Sequence, residues 1–198
     1  MKSLFFALTL FLTCTSGFSQ QVTTQDYKIY TDIIRTESMA STAAIVVIKE
    51  LVNEQDSEMV ASAFKSNDLS TLANISHEFR FDSASVNALN NYFIHNTSAI
   101  SLENKFISPI PVQLIAKKVF DTYLKKNINK GWKHFYTAFP GSEGVFEFSK
   151  ITYSDSKDRA VTYRAIRRNG LNGNGALLVL EKIGNDWKVK YNFNLWNN

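Results

Sequence analysis

The chain is 198 residues long, 44% hydrophobic and 20% charged, with a formal net charge of +4. Its single cysteine, Cys14, excludes an internal disulfide framework, and beyond the N-terminal 20 residues no apolar run is long enough to span a bilayer. A domain of this size can be stable through its core alone, since it buries roughly 70% of the surface its unfolded chain exposes.

The mean charge hides an asymmetry. Residues 20–99 carry five Lys/Arg against ten Asp/Glu, whereas residues 100–198 carry sixteen against eight. A basic C-terminal half can serve an anionic partner such as lipopolysaccharide, an acidic glycan or nucleic acid. The simpler reading is that the two halves pack together with complementary charge. No nucleic-acid motif accompanies the cations, so nucleic acid is not expected as a partner.

At the N-terminus, Lys2, an apolar run over 4–13 and the small residues Gly17 and Ser19 have the order of a secretory signal cut before Gln20. Export to the periplasm or beyond is expected, with 1–19 removed and 20–198 forming one domain free of cysteine and of any membrane span. Thr23-Thr24-Gln25-Asp26 offers N-caps for a helix over 26–37, where Tyr27, Tyr30, Ile33 and Ile34 recur at helical spacing. The run 44–48 is short, apolar and β-branched, as a buried strand is. Asp56 can cap a second helix through Met59, Val60, Ala63 and Phe64.

Residues 69–110 are rich in Ser, Asn, Thr and Asp, which compete with the backbone for hydrogen bonds and favour turns. A short helix after Asp82-Ser83 is still expected, with Val86, Leu89, Asn90 and Phe93 on one side. Asn74-Ile75-Ser76 and Asn96-Thr97-Ser98 match a glycosylation sequon but read as ordinary loop. Pro109-Ile110-Pro111 punctuates the chain. Val112 and Leu114 then alternate as an edge strand does, and Val119, Phe120 and Tyr123 suggest a helix ending at Lys125-Lys126. After Gly131, an aromatic stripe of Trp132, Phe135, Tyr136 and Phe139 suggests a helix pressing rings onto a sheet or lining a pocket.

Four strands follow. The first, 145–153, changes parity between Phe146/Phe148 and Ile151/Tyr153, which suggests a bulge near Ser149-Lys150. The second, 160–166, puts Val161, Tyr163 and Ala165 on one side and Thr162 and Arg164 on the other. A glycine-rich stretch, 169–175, reads as a long loop needing positive φ, and opens the third strand over 176–183. Gly184-Asn185-Asp186 makes a tight hairpin into the fourth. There Trp187, Val189, Tyr191, Phe193 and Leu195 alternate with Lys188, Lys190, Asn192 and Asn194, the rhythm of a strand with one wet face.

Several of these residues form a recurring pattern: Trp132, Phe135, Tyr136, Phe139-Pro140-Gly141, Gly144, Phe148-Ser149, Ala160-Val161, the glycines of 170–175, Leu180-Glu181-Lys182 and Trp187-Lys188-Val189. Over roughly 130–190 the chain resembles a group of uncharacterised exported proteins of Bacteroidetes-type bacteria. Members often carry two cysteines in the glycine-rich turn, where Asn169 and Asn172 stand here, so a disulfide or metal clip is not implied. The resemblance implies export and brings no activity with it.

Catalytic signatures are sparse. The glycine-rich stretch has neither the G-x-G-x-x-G spacing nor a following helix, so it is not expected to cradle phosphate. His77, His95 and His134 are not spaced as metal ligands, and neither metal nor cofactor is expected. His134 is a weak candidate for a general base, with Glu147 or Glu181 as an acid partner. The better candidate surface is the outward face of the sheet, where Arg164, Lys188 and Lys190, with Arg167-Arg168 beside them, can bind an anionic ligand or partner. Those cations can equally be protecting a sheet edge.

The expected architecture is α+β: a four-stranded antiparallel meander covered on one face by the helices of Tyr27 and Trp132, with 20–110 a mainly helical layer. Cystatin-like and nuclear-transport-factor-like folds are the analogues, and fold analogy carries no function. The expected role is a non-enzymatic binding domain; the alternative is a small hydrolase or isomerase with its site beneath the Trp132 helix.

Overall fold

A computed structural model describes residues 21–39, 41–53, 81–96 and 100–198. The expected signal segment, the helix expected after Asp56 and the sequon at Asn74 lie outside the described residues. The fold is α+β, built on one mixed sheet in the order β2-β1-β3-β5-β6-β7 with β4 pairing β5. The strands are β1 (Ala44–Ile48), β2 (Val112–Ile115), β3 (Ser142–Phe148), β4 (Thr152–Tyr153), β5 (Arg159–Asn169), β6 (Asn172–Ile183) and β7 (Asp186–Asn197). Four described helices accompany them: α1 (Thr24–Glu37), α2 (Ser83–His95), α3 (Lys117–Leu124) and α4 (Ile128–Ala138).

β1 explains why the sheet is mixed. All five of its residues are buried, and it pairs in parallel with both β2 and β3. A parallel strand with both faces covered reads as a continuous apolar run, which is what 44–48 is. Parallel neighbours cannot be joined by a tight hairpin. The chain therefore leaves β2, forms α3 and α4 as a crossover, and returns as β3 on the other side of β1. β3, β5, β6 and β7 are antiparallel neighbours.

The sheet is covered on both faces. One parity (Ile45, Val47, Phe146, Phe148, Ala160, Ile166, Leu178, Leu180) packs against Tyr27, Ile29, Tyr30, Ile33 and Ile34 of α1. The other splits in two. Val161, Tyr163, Ala165, Leu177 and Val179 meet Ala88, Leu89 and Tyr92 of α2, while Val46, Ile48 and Val145 meet Phe120, Trp132 and Phe135 of α3 and α4. The helices of Tyr27 and Trp132 thus lie on opposite faces. That corrects the expectation of a meander with one covered and one wet face, the form for which the cystatin-like and nuclear-transport-factor-like folds were analogues.

α1 begins with a capping box: Asp26 N–H donates to Thr23 Oγ1, and Thr23 N–H donates to Asp26 Oδ2 at 2.7 Å. Three tyrosines fasten this region. Tyr30 donates to the Ser149 carbonyl at 2.9 Å, Tyr153 donates to Asp26 Oδ1 at 2.6 Å, and Tyr27 Oη accepts from Glu103 N–H at 2.7 Å. Each large apolar side chain that α1 buries contributes about 1.5–3 kcal/mol.

The parity change in 145–153 is an interruption that splits the expected first strand into β3 and β4. There the Ser149 hydroxyl accepts Tyr163 N–H at 2.8 Å and substitutes for a ladder bond. The glycine-rich stretch is not a long loop. β5 and β6 stay paired out to Asn169 and Asn172, leaving a two-residue turn of Gly170 and Leu171. Among the described residues, positive φ is confined to glycines outside this stretch and to Lys157. Gly175 is required for a different reason. A Cβ there would sit 2.7 Å from Tyr163 Oη and closer still to Trp196 Nε1, so the missing side chain is the seat of the indole.

In α2, Asp82 is the N-cap, accepting Ser85 N–H at 2.8 Å. The buried side is Ala88, Leu89 and Tyr92, rotated from the expected Val86, Asn90 and Phe93. Its asparagines hold the β4–β5 turn: Asn91 donates to the Tyr153 carbonyl at 2.9 Å and Asn87 accepts Asp155 N–H at 2.8 Å. Gly131 lies within α4 and does not precede it. A Cβ at Gly131 would stand 2.7 Å from the Tyr123 carbonyl carbon, so glycine lets α3 and α4 cross in close contact.

Candidate functional site

The cations singled out on β5 and β7 do not form one open face. Arg164 points toward α1 and is 3% exposed. Its Nη2 donates to Glu37 Oε1 at 2.6 Å and its Nη1 to Asn174 Oδ1. Burial pushes the guanidinium pKa down from its ordinary value, and the Glu37 carboxylate opposes that shift. Thr162, expected beside it in water, is also fully buried. Both are buried because α1 covers this side of the sheet, where an exposed face is expected from the strand pattern.

Arg167 projects to the opposite side. Its Nε donates to Glu147 Oε1 at 3.2 Å, and its guanidinium carbon lies 4.9 Å from the centroid of the Trp196 ring. Trp196 in turn donates from Nε1 to Tyr163 Oη at 2.9 Å. Arg168 reaches Glu143 Oε2 at 3.4 Å, while its carbonyl accepts from the Tyr136 hydroxyl.

β7 carries an extra residue opposite β6 at Lys190, and this bulge turns the parity over. Trp187 packs on the α1 side, whereas Tyr191 and Phe193 pack on the α2 side. Lys190 reaches Asp82 Oδ2 and Glu181 Oε2, each at 2.8 Å. Arg159 joins the same carboxylate of Asp82 at 3.0 Å. Burial works to raise the Asp82 pKa, but hydrogen bonds from Lys190 and Arg159 outweigh it and hold the carboxyl well below the usual range. Of the five expected cations, only Lys188 is exposed without an ion pair among the described residues.

The aromatic stripe is core. Phe120, Trp132 and Phe135 are buried against β1 and β3, with ring centroids 5.3–5.7 Å apart in edge-on pairs. His134 stands exposed on the outer side of α4, away from this cluster. The hydrolase or isomerase alternative needed His134 in a pocket beside a carboxylate, and the exposed position removes that condition. Among the described residues, no group of three or more His, Cys, Asp or Glu side chains is placed to hold a metal ion.

The crossover carries cations that strand alternation does not reveal. Between Lys117 and His134 the chain has six lysines and one histidine against a single carboxylate, Asp121. All six lysines (117, 118, 125, 126, 130 and 133) are exposed. Among the described residues only Lys117 has an ion-pair partner, Asp121 at 2.6 Å. The helical pattern forces this segregation. Gly131, Trp132 and Phe135 face inward, so Lys130, Lys133, His134 and Thr137 share the outer stripe at spacings of three and four. Asn127 caps α4 by accepting Lys130 N–H at 3.0 Å, and the first turn has no acidic residue to meet the positive end of the helix dipole. The signal was present in the sequence as a local charge run; global charge by halves diluted it.

Compared with family models, with curated proteins and with solved structures, the chain matches none.

Proposed function

We propose that this protein is an exported, non-enzymatic binding domain that meets an anionic partner through the outer face of the α3–α4 crossover. The observation that carries the reading is the set of five exposed lysines at 118, 125, 126, 130 and 133 that have no ion pair among the described residues, whereas Arg164, Arg167 and Lys190 on the sheet are each matched by a carboxylate. Lysines clustered on one face raise the local potential by more than scattered ones, and attract anions over about a Debye length, ~8 Å at physiological salt. Export follows from the order of residues in 1–19 and from the resemblance of the C-terminal half to exported proteins.

The test is salt elution from heparin–agarose, with heparin as a generic polyanion. Lys125→Glu/Lys126→Glu/Lys130→Glu should elute at clearly lower salt than the wild type. Lys157→Glu/Lys182→Glu/Lys188→Glu changes net charge equally at the opposite end of the β5–β6 hairpin and should elute much closer to it. If the two triple variants elute together, net charge alone is responsible and the crossover is not a site.

A further inference from the structure

We infer that the end of the molecule formed by the β5–β6 turn and the start of α4 docks on an anionic lipid bilayer, with Leu171 and Ile128 entering the interface and Lys125, Lys126 and Lys130 meeting headgroups. This rests on the crossover being the anion-binding face and names the partner of that face.

Leu171 is 86% exposed at the tip of a two-residue turn. It adds nothing to the core, and the turn is set by its neighbours: Leu171 N–H donates to Asn169 Oδ1 at 2.8 Å. Ile128 begins α4 and is 47% exposed. It continues the inward stripe one turn too far, so it overhangs the end of the sheet beside Gly170. Its Cδ1 lies 3.1 Å from where a Cβ on Gly170 would be. Any side chain at 170 would cover Ile128, and glycine leaves it bare next to Leu171. Two exposed branched apolar residues are therefore brought to one end of the molecule, Ile128 against Gly170 and Leu171 next to Gly170 in the turn, with the lysine pair just before α4 and Lys130 in its first turn close to Ile128 along the chain.

That combination distinguishes partners. A soluble polyanion or nucleic acid needs the cations alone and gains nothing from a protruding leucine. A bilayer with acidic headgroups uses both, the apolar tips in the headgroup–acyl boundary and the lysines in the negative surface potential. Neither contribution suffices alone, so binding should be reversible and should require acidic lipid.

The experiment is co-sedimentation of the protein with vesicles of phosphatidylcholine alone, or of equal parts phosphatidylcholine and phosphatidylglycerol. The wild type should pellet with the acidic vesicles, stay in solution with the neutral ones, and be released by added salt. Replacing each of the three lysines should weaken partitioning about fivefold. Leu171→Ser should weaken it about tenfold or more, while leaving heparin elution unchanged. Leu171 is so exposed that this variant should fold as the wild type does. Wild type remaining in solution with acidic vesicles, with the heparin result intact, overturns the bilayer and leaves the basic face standing. Leu171→Ser pelleting as well as the wild type overturns insertion of the tip. A lysine triple variant unchanged on both heparin and vesicles overturns the face itself.

Discussion

Glu37→Ala should destabilise the protein more than Arg164→Met, although both remove the same ion pair. The difference lies in where each partner is left. Arg164 is 3% exposed in its side chain and Glu37 26% exposed. Without Glu37, a guanidinium remains buried with Asn174 as its partner, and Arg164 Nε already lacks one among the described residues. Without Arg164, the Glu37 carboxylate can turn to water at the last turn of α1, where a negative charge opposes the helix dipole anyway. Breaking a fully buried pair costs about 3–5 kcal/mol when a charge is stranded. Discounting for the open side of Glu37 gives about 2–3 kcal/mol for Glu37→Ala and about 1 kcal/mol for Arg164→Met, with methionine filling the arginine's stem volume. The double variant should be close to Arg164→Met alone, a coupling of about 2 kcal/mol. Urea unfolding followed by tryptophan fluorescence measures all three, and Glu37→Ala should also lower Tm by about 5–10 °C. Equal and additive costs for the two single changes would refute the account, and would reopen Arg164 as a residue held for something other than packing α1 to the sheet.

Two further outcomes follow from the same packing. The Asp82 carboxyl has its folded pKa depressed below the ordinary value of 3.8, so its pairing stabilises the protein above that value and is lost as pH falls below it. Asp82→Asn, which keeps an oxygen to cap α2, should flatten the acid limb of stability against pH; an unchanged acid limb would mean Lys190 and Arg159 do not hold the carboxylate. Gly175→Ala should cost about 1–3 kcal/mol by overpacking against Trp196 and Tyr163, with quenched or shifted indole emission, and a neutral result would show that the indole is free to move.

The strands were legible because their alternation is local; the faces were not, because burial is decided by what lies above each face. In β7 the apolar residues 187, 189, 191, 193 and 195 keep a strict period of two straight through the bulge at Lys190. The rhythm survives since both sides of the sheet are covered, so it reports extended backbone and says nothing about which side is wet. α2 illustrates the converse. Its cap at Asp82 could be read, but Asn87 and Asn91 look like loop residues and act as hydrogen-bond partners for a turn more than sixty residues away. The mixed pairing of β1 was out of reach for the same reason: its apolar run tells that it is buried, while its neighbours β2 and β3 come from 112–115 and 142–148.

Charge and topology together explain why the free lysines collect where they do. The carboxylates of the acidic first half that meet the sheet, Glu37 and Asp82, neutralise Arg164, Arg159 and Lys190. Glu143, Glu147 and Glu181 within the second half take up Arg168, Arg167 and a share of Lys190. Much of the surplus positive charge falls on the β2–β3 crossover, one of the two long connections that the parallel β2-β1-β3 arrangement demands. A crossover of this kind must present an apolar stripe to the sheet, and Phe120, Trp132 and Phe135 do so. Its outer stripe is under no such demand, and acidic or neutral polar residues would satisfy the fold equally well. Lysines there are a choice the packing does not force, which favours the crossover over the strands as the proposed binding surface.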